Sequence, residues 1–371
     1  MKLRYKIGIG LIVLIAVGVV TLGIALSYES DCAPIPESAR GSESMMAIRY
    51  QCYGAPEVLQ LVRAEKPAVG DEEVLVKVHA AGVNPLDWHY MRGAPYIMRL
   101  QSGLGAPDDS RFGRDFAGTV ESVGKNVTRF KPGDEVFGGA IGAFAEYLVV
   151  REDRAIALKP ENMSFEQAAS VTVAGLTALQ GLKDKGQIAA GQKVLINGAS
   201  GGVGTFAVQI AKASGAEVTG VCSSRNLEMV RSIGADHVID YREENFTETG
   251  NRYDLILDMV GNHSLTDISD TLEPDGTVVN VGSSNDGNFI GPLIRPLQVL
   301  VLSPFVSPNM VSLLARLKQE DLETLADLMR SGQLTPVIDR TYSLAEVPEA
   351  IRYSETGRAR GKIIIKMDQP D

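Results

Sequence analysis

Cysteine and positive charge are scarce in this sequence, and each shortage excludes a class of protein. Three cysteines among 371 residues, Cys32, Cys52 and Cys222, are too few and too scattered for a disulfide framework or a four-thiolate zinc site. Lys and Arg total 36 against 46 Asp and Glu, a net charge of -10, which is the wrong sign for binding a nucleic-acid backbone. We therefore expect a fold held together by packing, and no nucleic-acid partner.

The bulk composition is that of an ordinary globular protein. Hydrophobic residues make up 44% of the chain and charged residues 22%, with 38 glycines and 17 prolines, which excludes disorder, collagen and coiled coil as the main architecture. At roughly 100 to 200 residues per domain, the length predicts two or at most three folded domains.

One long apolar run lies near the N-terminus, at residues 7–26. It carries no charge and matches the roughly 20 residues that a helix needs to cross the hydrocarbon core of a bilayer. Lys2, Arg4 and Lys6 precede it, as in a cleavable signal peptide, but the run exceeds the roughly 7 to 15 apolar residues of such a peptide. The sequence therefore predicts a single-pass membrane anchor over 7–26, with residues 1–45 as anchor and tether.

Two patterns divide the rest of the chain. Residues 46–168 show short apolar alternations separated by turns, which predict a mostly β domain. Over 169–317 strands alternate with helices, which indicates a doubly wound parallel sheet in an α/β fold, and residues 318–371 follow it. The clearest expected strands of this half are Lys193–Asn197, Glu217–Cys222, 255–259, 277–281 and a final strand at 362–367.

A glycine-rich turn joins the first of these strands to an amphipathic helix. Residues 198–204 read Gly-Ala-Ser-Gly-Gly-Val-Gly, and apolar residues at helical spacing follow. Glycines let the backbone approach a pyrophosphate, whose charge then lies at the positive end of the helix. Although Ala199 replaces the first glycine of the usual motif, the strand before the turn and the helix after it predict dinucleotide binding. The expected contacts are Ala199, Ser200, Gly201, Gly202, Val203 and Gly204.

The end of the second strand predicts which dinucleotide binds. An NAD site usually has an Asp or Glu there, which holds the ribose 2′-hydroxyl. Here the strand runs into Ser223, Ser224 and Arg225, with no carboxylate among them. Two hydroxyls and a guanidinium suit a 2′-phosphate instead, so we expect NADPH to be preferred over NADH. The alternative is that Arg225 is only a solvated charge at the start of the next helix.

Four motifs together resemble one protein family. Gly-Val-Asn-Pro-Leu-Asp at 82–87, Gly-Arg-Asp-Phe-Ala-Gly at 113–118, the glycine turn and Gly-Lys-Ile-Ile at 361–364 resemble the medium-chain dehydrogenase/reductase superfamily, and most of all its zinc-free quinone oxidoreductase and enone reductase branch. The resemblance covers about 47–367. It implies a GroES-like β domain over 46–168, a Rossmann domain over 169–317, a C-terminal segment that returns to the first domain, and a homodimer as the expected assembly.

The resemblance also implies further cofactor contacts. A tyrosine corresponding to Tyr241 lies against the 2′-phosphate, and Thr177 lies near the phosphates or the nicotinamide. Residues that follow strands would face the nicotinamide, namely Val260, Gly261, Val281, Gly282 and Ser283.

Zinc is not expected. In the zinc alcohol dehydrogenases of this superfamily a histidine of a Gly-His-Glu motif binds the metal, and Arg114 replaces it here. The lobe of four closely spaced cysteines is also missing, so neither the three ligands of a catalytic site nor the four of a structural site can be assembled.

Reduction of a conjugated carbonyl needs a hydrogen-bond donor where negative charge develops. Family members often have a lysine or tyrosine at the position of His89, and an imidazole titrates near neutral pH, so His89 is one candidate acid. The alternative is that solvent supplies the proton. Tyr90 is a second donor, and Asn84 is expected to orient the nicotinamide or the substrate carbonyl.

These observations predict a zinc-independent, NADPH-dependent oxidoreductase that transfers hydride to a small-molecule quinone or α,β-unsaturated carbonyl. The alternatives are a zinc-free alcohol or aldehyde reductase on the same scaffold, and a non-catalytic, nucleotide-binding membrane adaptor. The sequence leaves open on which side of the membrane the folded domains lie. The basic residues before the apolar run favour the non-cytoplasmic side, whereas the supply of the cofactor favours the cytoplasmic side.

Overall fold

The computed structural model describes residues 17–18, 20–33, 35, 44–282, 287, 291–302 and 309–367. Within these ranges fifteen strands follow one another, and we number them in chain order. They are β1 Ser44–Arg49, β2 Gln60–Glu65, β3 Glu73–Val83, β4 Asp115–Val123, β5 Glu135–Gly139, β6 Tyr147–Arg151, β7 Ile156–Leu158, β8 Lys193–Asn197, β9 Glu217–Cys222, β10 His237–Asp240, β11 Tyr253–Asp258, β12 Leu272–Asn280, β13 Asn309–Ser312, β14 Ile338–Ser343 and β15 Lys362–Lys366.

Helices connect or cover these strands. From residue 44 onward they are α1 Pro85–Arg92, α2 Arg99–Ser102, α3 Phe165–Ala169, α4 Thr172–Gln180, α5 Gly202–Ala213, α6 Leu227–Ser232, α7 Leu265–Asp270, α8 Gly291–Leu302, α9 Gln319–Arg330 and α10 Val347–Glu355. Short helical turns occur at Pro56–Val58, Tyr96–Met98, Gly181–Lys185, Ser224–Asn226 and Leu344–Glu346.

The first domain is a β structure built around β3. This strand pairs antiparallel with β4, β6 and β15. Six strands of the seven-stranded sheet follow the order β14, β15, β3, β4, β5 and β7, and the seventh, β6, pairs with β3 beside this path. Val74, Val76 and Val78 of β3 are buried, as the alternating pattern predicts for one face of a strand. Because β14 and β15 come from the last part of the chain, the C-terminus completes the sheet of the first domain.

The second domain is a parallel sheet of six strands in the order β10, β9, β8, β11, β12 and β13. The strands predicted at Lys193–Asn197 and Glu217–Cys222 are confirmed, as is the amphipathic helix between them, which is α5. From β8 the chain runs outward on one side to β9 and on the other to β11. This reversal creates the crevice at the carboxyl ends of parallel strands where α/β proteins bind ligands.

One apolar core joins the two domains. It contains Ala80 and Phe137 from the first sheet together with Leu176 of α4, Leu257 of β11 and Leu325 of α9, all buried. Because the core is continuous across the boundary, the two sheets are held in a fixed relation beside the crevice.

The predicted membrane anchor at 7–26 is wrong, and with it the predicted single-pass membrane localisation. Within the described residues, no helix is long and apolar enough to cross a bilayer. The described helix near the N-terminus ends at Ser27, and Leu26 at its end is only 6% exposed. A membrane span needs about 20 apolar residues. In the described part of this run Leu26 packs on protein, whereas Val17, Val20, Leu22 and Ile24 are exposed. Residues 7–16 and 19 lie outside the described residues.

Arg99 of α2 binds the chain that follows this helix. Its side chain is completely buried and donates to the carbonyl oxygens of Leu26 at 3.0 Å, Tyr28 at 2.9 Å and Gly93 at 2.8 Å, and to a carboxylate oxygen of Glu29 at 2.8 Å. Every bond is charge-assisted, which makes each stronger than a neutral hydrogen bond. Residues 26–29 are therefore held against the folded first domain.

A disulfide fastens the same segment a few residues later. Cys32 and Cys52 are joined, with 20 residues of sequence separation, and Cys222 is free and buried. The guanidinium of Arg99 also lies 4.4 Å from the ring centres of Tyr53 and Tyr96. The number of cysteines did not predict this disulfide, because Cys32 and Cys52 lie in two separate segments that come together only in the folded protein.

Candidate active site

The glycine turn lies at the carboxyl end of β8, where the strand order of the parallel sheet reverses. Gly198 has a φ of +91°, and a Cβ on Gly204 would lie 2.1 Å from the carbonyl oxygen of Gly198, so both positions require glycine. Helix α5 begins at Gly202, with Gly201 as its N-cap in extended backbone. The first N–H groups of a helix lack partners within it, so this turn fits a pyrophosphate.

The four residues predicted at the adenosine end come together at the carboxyl ends of β9 and β10. Ser223 is buried, whereas Ser224, Arg225 and Tyr241 are exposed. The N–H of Tyr241 donates to the carbonyl oxygen of Cys222 at 3.1 Å, which places the tyrosine beside Ser223. A guanidinium N–H of Arg225 donates to the carbonyl oxygen of Arg358 at 2.7 Å, so the C-terminal segment helps to position this side chain.

Asn226 is a residue of this region that the sequence did not suggest. It is 4% exposed, and its amide nitrogen donates to the hydroxyl of Ser200 at 2.9 Å and that of Ser223 at 3.3 Å. Its amide oxygen is buried and has no hydrogen-bond partner among the described residues. A buried acceptor is costly to leave unpaired, so a ribose hydroxyl bound between the glycine turn and the end of β9 would satisfy it.

Asp258 organises the far side of the crevice, at the end of β11. Its side chain is completely buried and accepts hydrogen bonds from the N–H groups of Val260 at 3.1 Å and Gly261 at 2.9 Å. A buried ion pair with Arg295 of α8, at 3.2 Å, compensates its charge. The loop that carries two predicted nicotinamide contacts is therefore held by a carboxylate and a guanidinium that the sequence analysis did not single out.

The remaining predicted cofactor residues have different surroundings. Val281 and Gly282 follow β12, and both N–H groups donate to the backbone carbonyl of Asp258, at 2.9 and 3.3 Å. Thr177 lies in α4, is 8% exposed and donates its hydroxyl to the carbonyl oxygen of Val173 at 2.7 Å. Ser283 lies outside the described residues. The ends of β8, β11 and β12 thus form one edge, while the hydroxyl of Thr177 bonds within its own helix.

A cavity of about 170 Å³ opens in the first domain, beside α1. Its walls combine aromatic rings with charged and polar groups. The lining residues are Tyr50, Asp87, Tyr90, Gln101, Ser102, Asp108, Asp109, Arg111, Phe112, Gly113, Arg114 and Ile141. Of the three predicted catalytic residues, Tyr90 is the one that lines this cavity.

His89 does not line the cavity, and its ring forms a hydrogen bond with the backbone. A ring nitrogen, Nδ1, lies 2.8 Å from the carbonyl oxygen of Ala94 and must carry the proton in that bond, and the ring packs on Trp88 with 3.8 Å between centres. Burial lowers the pKa of His89 below its usual value, so the imidazole is neutral at pH 7. His89 therefore offers no acidic proton to the cavity in this geometry, and the role assigned to it from the sequence stays a prediction.

Asn84 belongs to a buried polar cluster rather than to the cavity wall. Its amide oxygen accepts a hydrogen bond from Lys362 at 2.6 Å, and its amide nitrogen donates to Asp115 at 3.0 Å. Lys362 also donates to the carbonyl oxygen of Val83 at 2.9 Å, and Asp115 accepts the N–H of Val173 at 3.1 Å. The side-chain amide of Asn84 is thus already engaged, and its predicted contact with cofactor or substrate stays a prediction.

Asp87 is the buried acid of the cavity wall. It is 2% exposed, and one carboxylate oxygen accepts the N–H of Asn84 at 2.7 Å as part of the cap of α1. Burial raises the pKa of Asp87 to about 7, so near neutral pH this carboxyl carries a proton for a large part of the time.

The glycine turn and the cavity meet through the last strand. The N–H of Gly361 donates to the carbonyl oxygen of Ser200 at 2.9 Å, and the next residue, Lys362, reaches Asn84 at the start of α1. Tyr90 follows on the same helix. The turn that fits a dinucleotide and the helix that lines the cavity are therefore joined by two consecutive residues.

No group of three or more His, Cys, Asp or Glu that could hold a metal ion occurs in the part of the chain that the structure describes. Arg114, at the position where the resemblance implies a zinc-binding histidine in other members, lines the cavity.

Two family models match the chain. Residues 70–161 match a model described as the alcohol dehydrogenase GroES-like domain, and residues 233–365 match one described as zinc-binding dehydrogenase. Among curated proteins, the 2-methylene-furan-3-one reductase of Solanum lycopersicum is 33% identical over 362 residues, covering 94% of this chain and 85% of that protein. The mitochondrial NAD(P)H oxidoreductase RTN4IP1 of Homo sapiens is 33% identical over 357 residues, covering 85% and 87%.

A solved structure gives the same picture. The quinone oxidoreductase from Coxiella burnetii superimposes with a TM-score of 0.73 at 32% identity, covering 88% of this chain and 100% of that one. The shared fold therefore comprises both domains described above.

Proposed function

The chain belongs to the medium-chain dehydrogenase/reductase superfamily as an oxidoreductase of the quinone and enone reductase type, and from this premise we propose that it is a zinc-independent reductase that uses NADPH. Its substrates are quinones or α,β-unsaturated carbonyls. The proposal rests above all on the junction between Ser200, Gly361 and Lys362, because it brings a dinucleotide turn and a polar cavity to one place.

Each part of the chain has a defined task in this proposal. Backbone N–H groups of the first turn of α5, at Gly202, Val203 and Gly204, hold the pyrophosphate, since those of Ala199 and Gly201 already bond Val221 and Gly198. Ser223, Ser224, Arg225 and Tyr241 hold the 2′-phosphate. The loops at Val260, Gly261, Val281 and Gly282, with Ser283 and Thr177, border the nicotinamide. When bound, NADPH supplies a hydride to the electrophilic carbon of the substrate.

Groups on the cavity wall then stabilise the negative charge that develops on the substrate oxygen. Of the donors predicted from the sequence, Tyr90 is the one that lines the cavity, and a phenol can hydrogen-bond a nascent enolate or quinol oxygen without being ionised itself. The proton that completes reduction comes from this hydroxyl or from solvent. Asn84 and Lys362 keep α1 in place beside the glycine turn.

A parallel assay tests the activity. The full-length protein is given NADPH and, separately, a quinone, an enal and a simple aldehyde, each with a metal chelator present. We expect NADPH to be consumed with the quinone and the enal, and the enal product to have lost its C=C bond while keeping its C=O bond. Consumption only with the aldehyde would indicate an alcohol dehydrogenase type of activity, and loss of turnover in chelator would contradict zinc independence.

The cofactor preference has a separate test in Arg225. Arg225→Asp should weaken NADPH binding at least about tenfold, because a charge-assisted bond to the 2′-phosphate is replaced by repulsion, and should change NADH binding less than about threefold. Fluorescence titration with both nucleotides measures the ratio. Arg231→Asp, an equal charge change at an exposed position of α6, is the control and should leave the ratio unaltered. Equal losses for the two nucleotides in Arg225→Asp would exclude the phosphate contact.

A further inference from the structure

Arg114 is a cation on the cavity wall that lacks an anionic partner among the described residues. Its guanidinium carbon lies 4.8 Å from the centre of the Tyr90 ring, so the planar group rests on the face of the aromatic ring. Arg111 on the same wall is different, because its guanidinium bonds both carboxylate oxygens of Asp109, at distances down to 2.6 Å. Only one of these two arginines is therefore already neutralised.

The acids of the cavity form no direct ion pair with Arg114 in the part of the chain that the structure describes, although Asp87 lies close enough to feel its charge. Asp109 is engaged by Arg111, and Asp108 is exposed, where solvent screens it. Asp87 lies deep in the wall, where burial raises its pKa to about 7, so its negative charge is only partial near neutral pH. Arg114 is consequently the arginine of this wall whose guanidinium donors are not taken up by a carboxylate among the described residues.

We propose that Arg114 binds an anionic group of the substrate, so that the preferred substrates are quinones or enones that carry a carboxylate. This inference rests on the proposed function and adds the substrate class to it. A guanidinium and a carboxylate form two parallel charge-assisted hydrogen bonds, and the face of the Tyr90 ring, 4.8 Å from the guanidinium carbon, supports the cation. The rings of Tyr50 and Phe112 on the same walls suit a flat, conjugated substrate body.

A pair of substrates that differ only in this charge tests the proposal. (E)-4-oxo-4-phenylbut-2-enoate and its methyl ester share the same enone, and the ratio of their kcat/KM values isolates the contribution of the carboxylate. We expect Arg114→Gln to lower the ratio of acid to ester at least about tenfold, the effect of losing hydrogen bonds to a charged group. Arg114→Lys, which keeps the charge but not the planar fork, should lower it less.

Two further measurements make each outcome decisive. Arg154→Gln removes an equal charge from an exposed site of the same domain, with 71% of that side chain accessible, and should leave the ratio unchanged. Calorimetric titration of the NADP-bound protein with 4-oxo-4-phenylbutanoate, which resembles the product, should give a dissociation constant at least about tenfold higher in Arg114→Gln.

The outcomes separate the two proposals. A ratio that stays within twofold in Arg114→Gln, or equal losses for acid and ester, overturns the anion site while leaving the reductase intact. If the wild-type protein reduces neither compound, nor any quinone or enal, the proposed function fails, and the calorimetric comparison still decides whether Arg114 binds the carboxylate.

Discussion

Replacing Gly201 by aspartate should raise the dissociation constants of NADPH and NADH at least about 100-fold while leaving the fold as stable as before. Gly201 is the N-cap of α5 with extended backbone, φ -83° and ψ 179°, and a Cβ there would meet only the carbonyl oxygen of Gly198, at an ordinary 3.4 Å. Aspartate is among the preferred N-cap residues, because its carboxylate accepts N–H groups of the first helical turn. Those N–H groups are the ones that a pyrophosphate would use.

The substitution therefore has opposite effects on folding and on cofactor binding. The new carboxylate occupies the donors and repels a dianionic bridge, and each lost charge-assisted bond accounts for roughly 1.5 to 3 kcal/mol. Fluorescence titration gives the affinity and urea denaturation the stability. Gly201→Ala is the control, since it adds the Cβ without the charge. Normal nucleotide affinity in a stable Gly201→Asp protein would show that the cofactor lies elsewhere.

Lys362→Met should lower the free energy of unfolding by about 3 to 5 kcal/mol, the usual effect of leaving a buried charge without its partner. Lys362 is 3% exposed and Asp115 is completely buried, with 3.7 Å between nitrogen and oxygen. Burial raises the pKa of Asp115 above its usual value while Lys362 acts in the opposite direction. Methionine keeps the length and volume of the lysine stem, so the loss reports charge and hydrogen bonds rather than a cavity.

Lys366 provides a matched control on the same strand. It pairs with Glu166 at 2.9 Å, but 56% of its side chain is accessible, and exposed pairs contribute little. Lys366→Met should therefore cost less than about 1 kcal/mol in the same urea titration. Similar losses for the two variants would mean that the buried cluster contributes no more than a surface pair to holding the domains together.

Local patterns predicted a large part of this fold. The bounds of β8 and β9 agree with the prediction residue for residue, because each strand is an apolar run enclosed by turn signals. The last strand ends at Lys366, one residue before its predicted end. The glycine turn was recognisable because all its requirements, a strand, small residues and a helix, are contiguous in sequence.

The contacts between distant segments were not predicted, because the residues that form them are not contiguous in sequence. Asn84, Asp115 and Lys362 come from three separate parts of the chain, and nothing in their spacing indicates that they meet. Asn226 follows the expected 2′-phosphate residues directly, yet its bridge from Ser223 to Ser200 exists only because β8 and β9 are neighbours. Periodicity reports the faces of single elements, not the partners of a side chain.

The apolar run at 7–26 was misjudged because hydropathy measures the side chains and not what covers them. An apolar side chain that suits lipid can also pack on protein, as Leu26 does, while Val20, Leu22 and Ile24 of the same helix are exposed. The hydrogen bonds from Arg99 to Leu26 and Tyr28 could not be foreseen from the run itself.

Arg99 has a consequence for any shortened version of this protein. A chain that begins at the first strand would lose the acceptors on Leu26, Tyr28 and Glu29. The guanidinium would keep its bond to the carbonyl oxygen of Gly93, but its terminal N–H groups would be exposed beside the rings of Tyr53 and Tyr96. The uncompensated positive charge of Arg99 would then bind carboxylates or anionic detergent headgroups from the buffer, close to Ser102, which lines the cavity. Inhibition seen only with a clipped preparation would then originate in the trimming, not in the natural enzyme.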